Sequence, residues 1–418
     1  MSVTVRIVTS MAWSVGPQAT WVAEANRGER PEFEPTPGPF NAAALIEDAL
    51  ERSPNADRFA DDDFVEPLGI FCDALETTAK LTPLGRWATQ RYLKRLLDVR
   101  LGLEAYETAH PELNDEAVTE PVFVIGPPRS GTTVLHRHLG ALAGHRVARG
   151  WEFTRPLPPP EPGTCDQDPR IHQTADELEF PQAVATGLRS IHTYSAQMPK
   201  ECLSAMAFAA RTEEFISRYN VPAYVEWLQA CDMAPAYEMH RRILRVLQQR
   251  MPPARWILKS PVHLQSVPVL VATYPDASFI ITHREPTEIL ASVSSLVATM
   301  RSAFSSTVDA AAIGRYHHDL YQRSLNALVD HVDHAALPAE RTIHVAFKDL
   351  VADTPASVAG VCEQLGIDPA AARRCATTVA EEQREDAAGA HRYRPADFGL
   401  EDPGLSRSFD RYRARFVD

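Results

Sequence analysis

Residues 121–142 constrain the fold more than any other stretch: Pro-Val-Phe-Val-Ile-Gly-Pro-Pro-Arg-Ser-Gly-Thr-Thr-Val-Leu-His-Arg-His-Leu-Gly-Ala-Leu. The β-branched and aromatic run Val122, Phe123, Val124, Ile125 predicts a buried strand. A tight loop rich in Gly and Pro occupies residues 126–131. Val134, Leu135, Leu139 and Leu142 then recur at helical spacing. A strand that turns through glycine into a helix leaves the first helical amides without internal partners, at the positive end of the helix dipole. Such an end cradles a phosphate.

The spacing is Gly126, four residues, then Gly131-Thr132-Thr133. A triphosphatase loop carries Lys directly after its second glycine, where it reaches the β and γ phosphates. Thr132 stands there instead, and Arg129 is the one basic side chain of the loop. The loop suits a compact anion and is poorly equipped for a triphosphate. A turn that merely joins a strand to a helix has no need of Arg129, two glycines and two hydroxyls at one point.

Length and charge narrow the rest. A chain of 418 residues accommodates one large α/β domain with additions, or two domains at most. The formal charge of −13 and the lack of a basic stripe argue against nucleic acid as a partner. Local cations must therefore hold an anionic ligand against the overall field. Lysine is scarce, at positions 80, 94, 200, 259 and 348 only, so Lys259 in a strand-to-helix turn draws notice. Six scattered cysteines without a C-x-x-C pair predict reduced thiols, a cytoplasmic location and no zinc site. Arg6 interrupts a weak apolar run at the start, which is unlike a signal peptide. No stretch approaches the ~18 apolar residues of a membrane span.

Along the chain, residues 1–41 are expected to form an extended or disordered arm, with Pro and Glu concentrated in 31–40. Residues 42–117 show amphipathic helical periodicity and are expected to pack on the core. Residues 118–418 alternate strands and helices. A strand is expected to end near Trp151, placing Glu152 at a loop mouth beside the phosphate site. Residues 165–250 form a helical insertion, with helices over 191–208 and 224–249, suited to binding an acceptor. Further strands are expected over 256–258, 277–282 and 343–347, with helices from Pro286, over 313–337 and over 357–365. The fold class is α/β: a P-loop-type parallel sheet flanked by helices, with an N-terminal helical region and a helical insertion.

A second anchor lies at the end of the 277–282 strand. Arg284 and Ser292 are eight residues apart across a helix start, where both can face the crevice in which open α/β sheets bind ligands. A guanidinium and a hydroxyl are suited to gripping a phosphate monoester. An ordinary surface ion pair of Arg284 with Glu285 or Glu288 is the competing explanation.

Both motifs resemble those of sulfotransferases that use 3′-phosphoadenosine 5′-phosphosulfate (PAPS). Their donor loop reads P-[KR]-[ST]-G-T-[TS], and Pro128, Arg129, Ser130, Gly131, Thr132 and Thr133 match it at every position. Their 3′-phosphate site reads Arg, then Ser eight residues on, as Arg284 and Ser292 do. The likeness to a bacterial sulfotransferase family extends through Trp151-Glu152-Phe153, Lys259-Ser260-Pro261, Thr282-His283-Arg284 and His391-Arg392-Tyr393, over roughly residues 44–416. It implies PAPS as co-substrate without a metal, and a terminal loop covering the 3′-phosphate through Arg392 and Tyr393. Relatives often carry a basic residue just before that loop; here Asp386-Ala387-Ala388 stands there.

Sulfuryl transfer needs an acceptor proton removed and charge stabilised on the sulfuryl and bridging oxygens. Arg129 and the loop amides fit the electrostatic part. By likeness to the tyrosylprotein enzymes, Glu152 is the first choice for the base and Lys259 stabilises the transition state. His263 is the runner-up base, since cytosolic sulfotransferases use a histidine. The competing roles are a cap on the proline segment or an ion pair with Arg155 for Glu152, and ordinary packing for His263. The expected acceptor is a hydroxyl of a small-molecule or lipid-linked compound. A P-loop kinase and a non-catalytic nucleotide-binding protein are the alternative classes.

Overall fold

The computed structural model describes residues 13–16, 18–53, 58–385 and 393–418. Five parallel strands form the central sheet: β1 (Val122–Ile125), β2 (His145–Arg146), β3 (Arg255–Lys259), β4 (Ser278–His283) and β5 (Thr342–Ala346), in the spatial order β2-β3-β1-β4-β5. All four residues of β1 are buried, as expected of a central parallel strand covered on both faces.

Alternate residues of β1 feed different cores. Phe123 and Ile125 join Leu258, Phe279 and Ile281 in the larger apolar cluster, which reaches into the N-terminal helices and the insertion. Val122 and Val124 join Ile257, Ile280 and Ile343 under the helices Thr132–Gly140, Thr354–Gln364 and Pro369–Glu385. Burial of each such side chain contributes about 1.5–3 kcal/mol, so the two layers hold the sheet from both sides.

Several segments differ from the sequence expectation. Within the supposed arm, Thr20–Asn26 is a helix whose Val22 and Ala25 are buried in the main core. The strand expected near Trp151 lies earlier, at β2, and Gly150–Thr154 is a short helix instead. Its cause is local: the Glu152 carboxylate accepts the Arg149 backbone N–H at 2.7 Å, closing the helix start. Residues 191–208 are largely non-helical up to Leu203–Met206. Pro199 sits inside that stretch and forms a bridge with Arg149. The 224–249 segment divides into Pro222–Ala230 and Ala234–Gln248.

Register brings the chemistry to one edge. Val124 of β1 lies beside Lys259 at the end of β3, and Ile125 lies beside Ile281 in β4. The 126–131 loop, Lys259 and Arg284 therefore leave the carboxyl ends of three adjacent strands. The chain order reverses about β1, the switch point at which such sheets bind ligands.

Candidate active site

The loop is built by close approach. Gly126 passes so near β4 that a Cβ there would fall on the Thr282 hydroxyl and 3.0 Å from the Ser130 hydroxyl. Ser130 is buried, donates to the Pro127 carbonyl at 2.6 Å and meets the Thr282 hydroxyl at 2.5 Å. It ties the loop to the sheet, whereas Pro128, Arg129, Gly131, Thr132 and Thr133 line a cavity of about 470 Å³. Arg129 adopts φ 68°, a left-handed conformation that side-chain-bearing residues hold only when their surroundings impose it. Gly131, at φ 93°, begins the helix Thr132–Gly140, and no side chain caps that start. The first amides there are free to receive an anion.

Arg284 supports this loop and lines the same cavity. Its Nη1 donates to the Arg129 carbonyl at 2.6 Å, its Nε donates to Glu288 at 3.0 Å, and its guanidinium lies 4.1 Å from the Phe347 ring centroid. The ion pair with Glu288 weighed from the sequence thus coexists with the loop contact. Ser292 is buried in the helix Pro286–Ser302 and is not among the cavity-lining residues. Tyr393 packs partly buried against the cluster of Ala291, Val297 and Phe398 and is not among the cavity-lining residues. Arg392 lies outside the described residues.

Lys259 is 4 % exposed, and its Nζ lies 3.4 Å from the Thr133 hydroxyl and in an ion pair with Glu201. Burial alone would push the Glu201 carboxyl up, but the Lys259 ammonium more than offsets this and holds it below its ordinary pKa. Glu201 was not singled out from the sequence. Neither were His192 and Lys200, which line the same cavity. The signal for them was Met198-Pro199-Lys200-Glu201, a proline inside a segment otherwise read as helix, next to one of only five lysines.

Glu152 and His263, read from the sequence as base and runner-up, occupy other surroundings. Glu152 is 2 % exposed, and one of its oxygens pairs with the Arg146 guanidinium while the other accepts the Arg149 amide. It does not line the cavity, and its charge holds the β2-to-helix connection together. His263 is fully buried against Phe123, with Nδ1 at 2.9 Å from the Tyr237 hydroxyl. Burial drives its pKa well below the usual histidine value, leaving it neutral.

Away from the loop the cavity turns apolar, with Leu178, Ile216, Val293, Leu296, Met300 and Leu320 in its wall. Glu213 and the Glu214–Arg218 pair interrupt that wall. Burial raises the Glu213 carboxyl to about 7, although the Gln265 amide donates to it and opposes the shift. Burial pushes Glu214 up as well, but Arg218 overrides it and brings the carboxyl to about 2. His192 and His317 are lowered by burial to about 4 and about 3, so both imidazoles are neutral near pH 7.

The raised pKa of Glu213 has a consequence for stability. Below pH 4.5 the carboxyl is protonated in both the folded and the unfolded chain and costs nothing. Between pH 4.5 and 7 the unfolded chain gives up this proton while the folded chain keeps it, so stability falls across that window and levels off above it. Glu213→Gln is expected to match the parent near pH 4.5 and to melt roughly 1–3 °C higher at pH 8. Melting curves at both values check this; a Gln variant less stable than the parent at pH 8 would contradict it.

Comparison with known proteins gives a consistent result. A family model described as sulfotransferase family matches residues 121–371. Among solved structures, the chain is similar to the sulfotransferase STF1 from Mycobacterium tuberculosis, with 30% identity and a TM-score of 0.75, over 89% of this chain and 98% of that one. It is also similar to the sulfotransferase STF9 from Mycobacterium avium, with 25% identity and a TM-score of 0.80, over 91% of this chain and 98% of the other. No curated protein matches the sequence.

Proposed function

Since the chain belongs to the sulfotransferase family, we propose that it transfers the sulfuryl group of PAPS to a hydroxyl of a small, largely apolar acceptor. One observation carries this proposal. A single cavity joins Arg129, the Thr132–Gly140 helix start, Lys259 and Arg284 to an apolar chamber.

The donor set fits a phosphosulfate. The free first-turn amides and the Arg129 guanidinium suit the 5′-phosphate. Lys259, beside Thr133, suits the oxygen that bridges phosphorus and sulfur, where negative charge grows as the sulfuryl group leaves. Arg284 suits the 3′-phosphate, on exchanging its contact with Glu288. The cations lie in one patch of a chain with formal charge −13, so their grouping outweighs the overall field there. With Thr132 in place of the P-loop lysine, the cradle has no counterpart of the group that reaches a γ-phosphate.

The apolar wall supports an acceptor with a hydrocarbon or aromatic body and a hydroxyl near Lys259; a lipid-linked alcohol and a free phenol share that chemistry. Among the described residues no helix is long and apolar enough to cross a membrane. Among the described residues the six cysteines form no disulfide, which supports a reducing compartment such as the cytoplasm.

Thermal shift with 3′-phosphoadenosine 5′-phosphate tests the donor. Stabilisation is expected without Mg²⁺, by about 2.7 kcal/mol at a hundredfold excess over Kd. Arg284→Ala is expected to weaken that binding roughly 10- to 100-fold, because a charge-assisted contact is lost and the Arg129 carbonyl is left unsupported. A response to Mg-ATP alone would place the protein among nucleotide kinases instead.

A further inference from the structure

The carboxylate that receives the acceptor proton is not identified by the family likeness alone, and the surroundings of Lys259 single one out. Glu201 is clamped by its neighbours. The Lys200 amide donates to the Ala148 carbonyl at 2.8 Å, and the Cys202 amide donates to the Lys259 carbonyl at 3.0 Å. The side chain of Glu201 is 29 % exposed, against 4 % for Lys259, so the carboxylate is on the open side of the ion pair. The ammonium thus contacts the loop hydroxyl of Thr133 on one hand and the Glu201 carboxylate on the other.

Resting on the proposed sulfuryl transfer, we propose that Glu201 is the catalytic base and that Lys259 is its donor-sensitive latch. In the free protein Lys259 holds Glu201. When the phosphosulfate enters the cradle, Lys259 turns from Glu201 to the bridging oxygen and leaves the carboxylate beside the acceptor hydroxyl. Glu201 then takes the hydroxyl proton while the acceptor oxygen forms its bond to sulfur. The bond from sulfur to the bridging oxygen breaks, and its electron pair stays on that oxygen. The products are the sulfate ester, 3′-phosphoadenosine 5′-phosphate and one proton, carried off by Glu201. The base gains proton affinity only with donor in place, because the cation has left and a polyanion has arrived. That ordering guards the site against idle proton transfer.

The other groups of the cavity serve this role less well. Glu214 is locked to Arg218 and to the Ser204 hydroxyl. Glu213 touches Gln265 and is not paired with Lys259. His192 and His317 hold a proton too weakly. Glu152 is turned into the Arg146 pair.

The test uses the full chain, sulfur-labelled PAPS and cell extract as the acceptor source, with Glu201→Gln, Glu201→Asp, Glu213→Gln and Glu152→Gln compared to the parent. Glu201→Gln is expected to cut label transfer 10²- to 10⁴-fold. It should bind 3′-phosphoadenosine 5′-phosphate at least as tightly as the parent, since Lys259 is already free; a purely structural carboxylate would not give that combination. Glu201→Asp should recover part of the rate. Transfer by Glu201→Gln at the parental rate overturns the assignment, as does loss of nucleotide binding together with activity. Transfer that survives Glu201→Gln but fails in Glu213→Gln or Glu152→Gln moves the base to that residue. A parent that transfers no label removes the underlying sulfotransferase function, an outcome distinct from all of these.

Discussion

Replacing Lys259 with Met is expected to lower sulfuryl transfer by 10²- to 10³-fold while the protein stays folded. Methionine keeps the length and apolar stem and removes only the ammonium. At 4 % exposure, next to Thr133, that charge acts where water screens it little, so its effect on a developing oxyanion is large. Removal of one preorganised donor of this kind costs about 3–4 kcal/mol of transition-state stabilisation. Glu201 loses its partner in the variant, but it faces the cavity and water can replace the cation there, so the melting temperature should move little. Initial rates of label transfer and a melting curve together check this. A rate within threefold of the parent would show that the ammonium does not meet the transferring group. The double variant Lys259→Met with Glu201→Gln should lose less than the two single losses added together, because the residues act through one pair.

Gly126→Ala is expected to abolish detectable nucleotide binding and to lower the melting temperature by roughly 2–5 °C, corresponding to about 2–4 kcal/mol in a chain of this length. The added methyl has no room. It would meet the Thr282 hydroxyl, the Ser130 hydroxyl and the Thr282 carbonyl, of which the last is backbone in the middle of the sheet. Either β4 or the loop must move. Moving the loop breaks the Ser130–Thr282 contact and displaces the Arg129 carbonyl from Arg284. A folded variant that still binds 3′-phosphoadenosine 5′-phosphate would show the loop to be more compliant than its packing implies. Denaturation and thermal shift on the same sample separate the two effects.

Local patterns carried the strand–loop–helix unit beside the cavity. The run from Val122 to Ile125, the glycine spacing and the helical periodicity after Thr133 are all encoded within one strand–loop–helix unit, and each appears in the structure at its expected place. The strands ending at Lys259 and His283 were legible for the same reason: a short apolar run before a turn needs no distant partner to be recognised. Thr132 in the lysine position already argued against a triphosphate.

The rest of the cavity was not legible, because its composition depends on which way side chains turn after distant segments meet. Glu152 sits at the spacing of a base, yet Arg146, six residues earlier, and the helix it caps take both of its oxygens. Glu201 gave no motif. It becomes prominent only because the backbone on both sides of it is pinned to Ala148 and Lys259. His263 follows a conspicuous turn, and tertiary packing buries it beneath Phe123 and Tyr237. Sequence by itself determined the parallel sheet, the glycine loop at its switch point and the family, since those rest on short-range periodicity and backbone conformation. Tertiary structure alone decided which carboxylate meets Lys259, since an ion pair between residues 58 positions apart forms only when the sheet edge and the insertion close around one cavity.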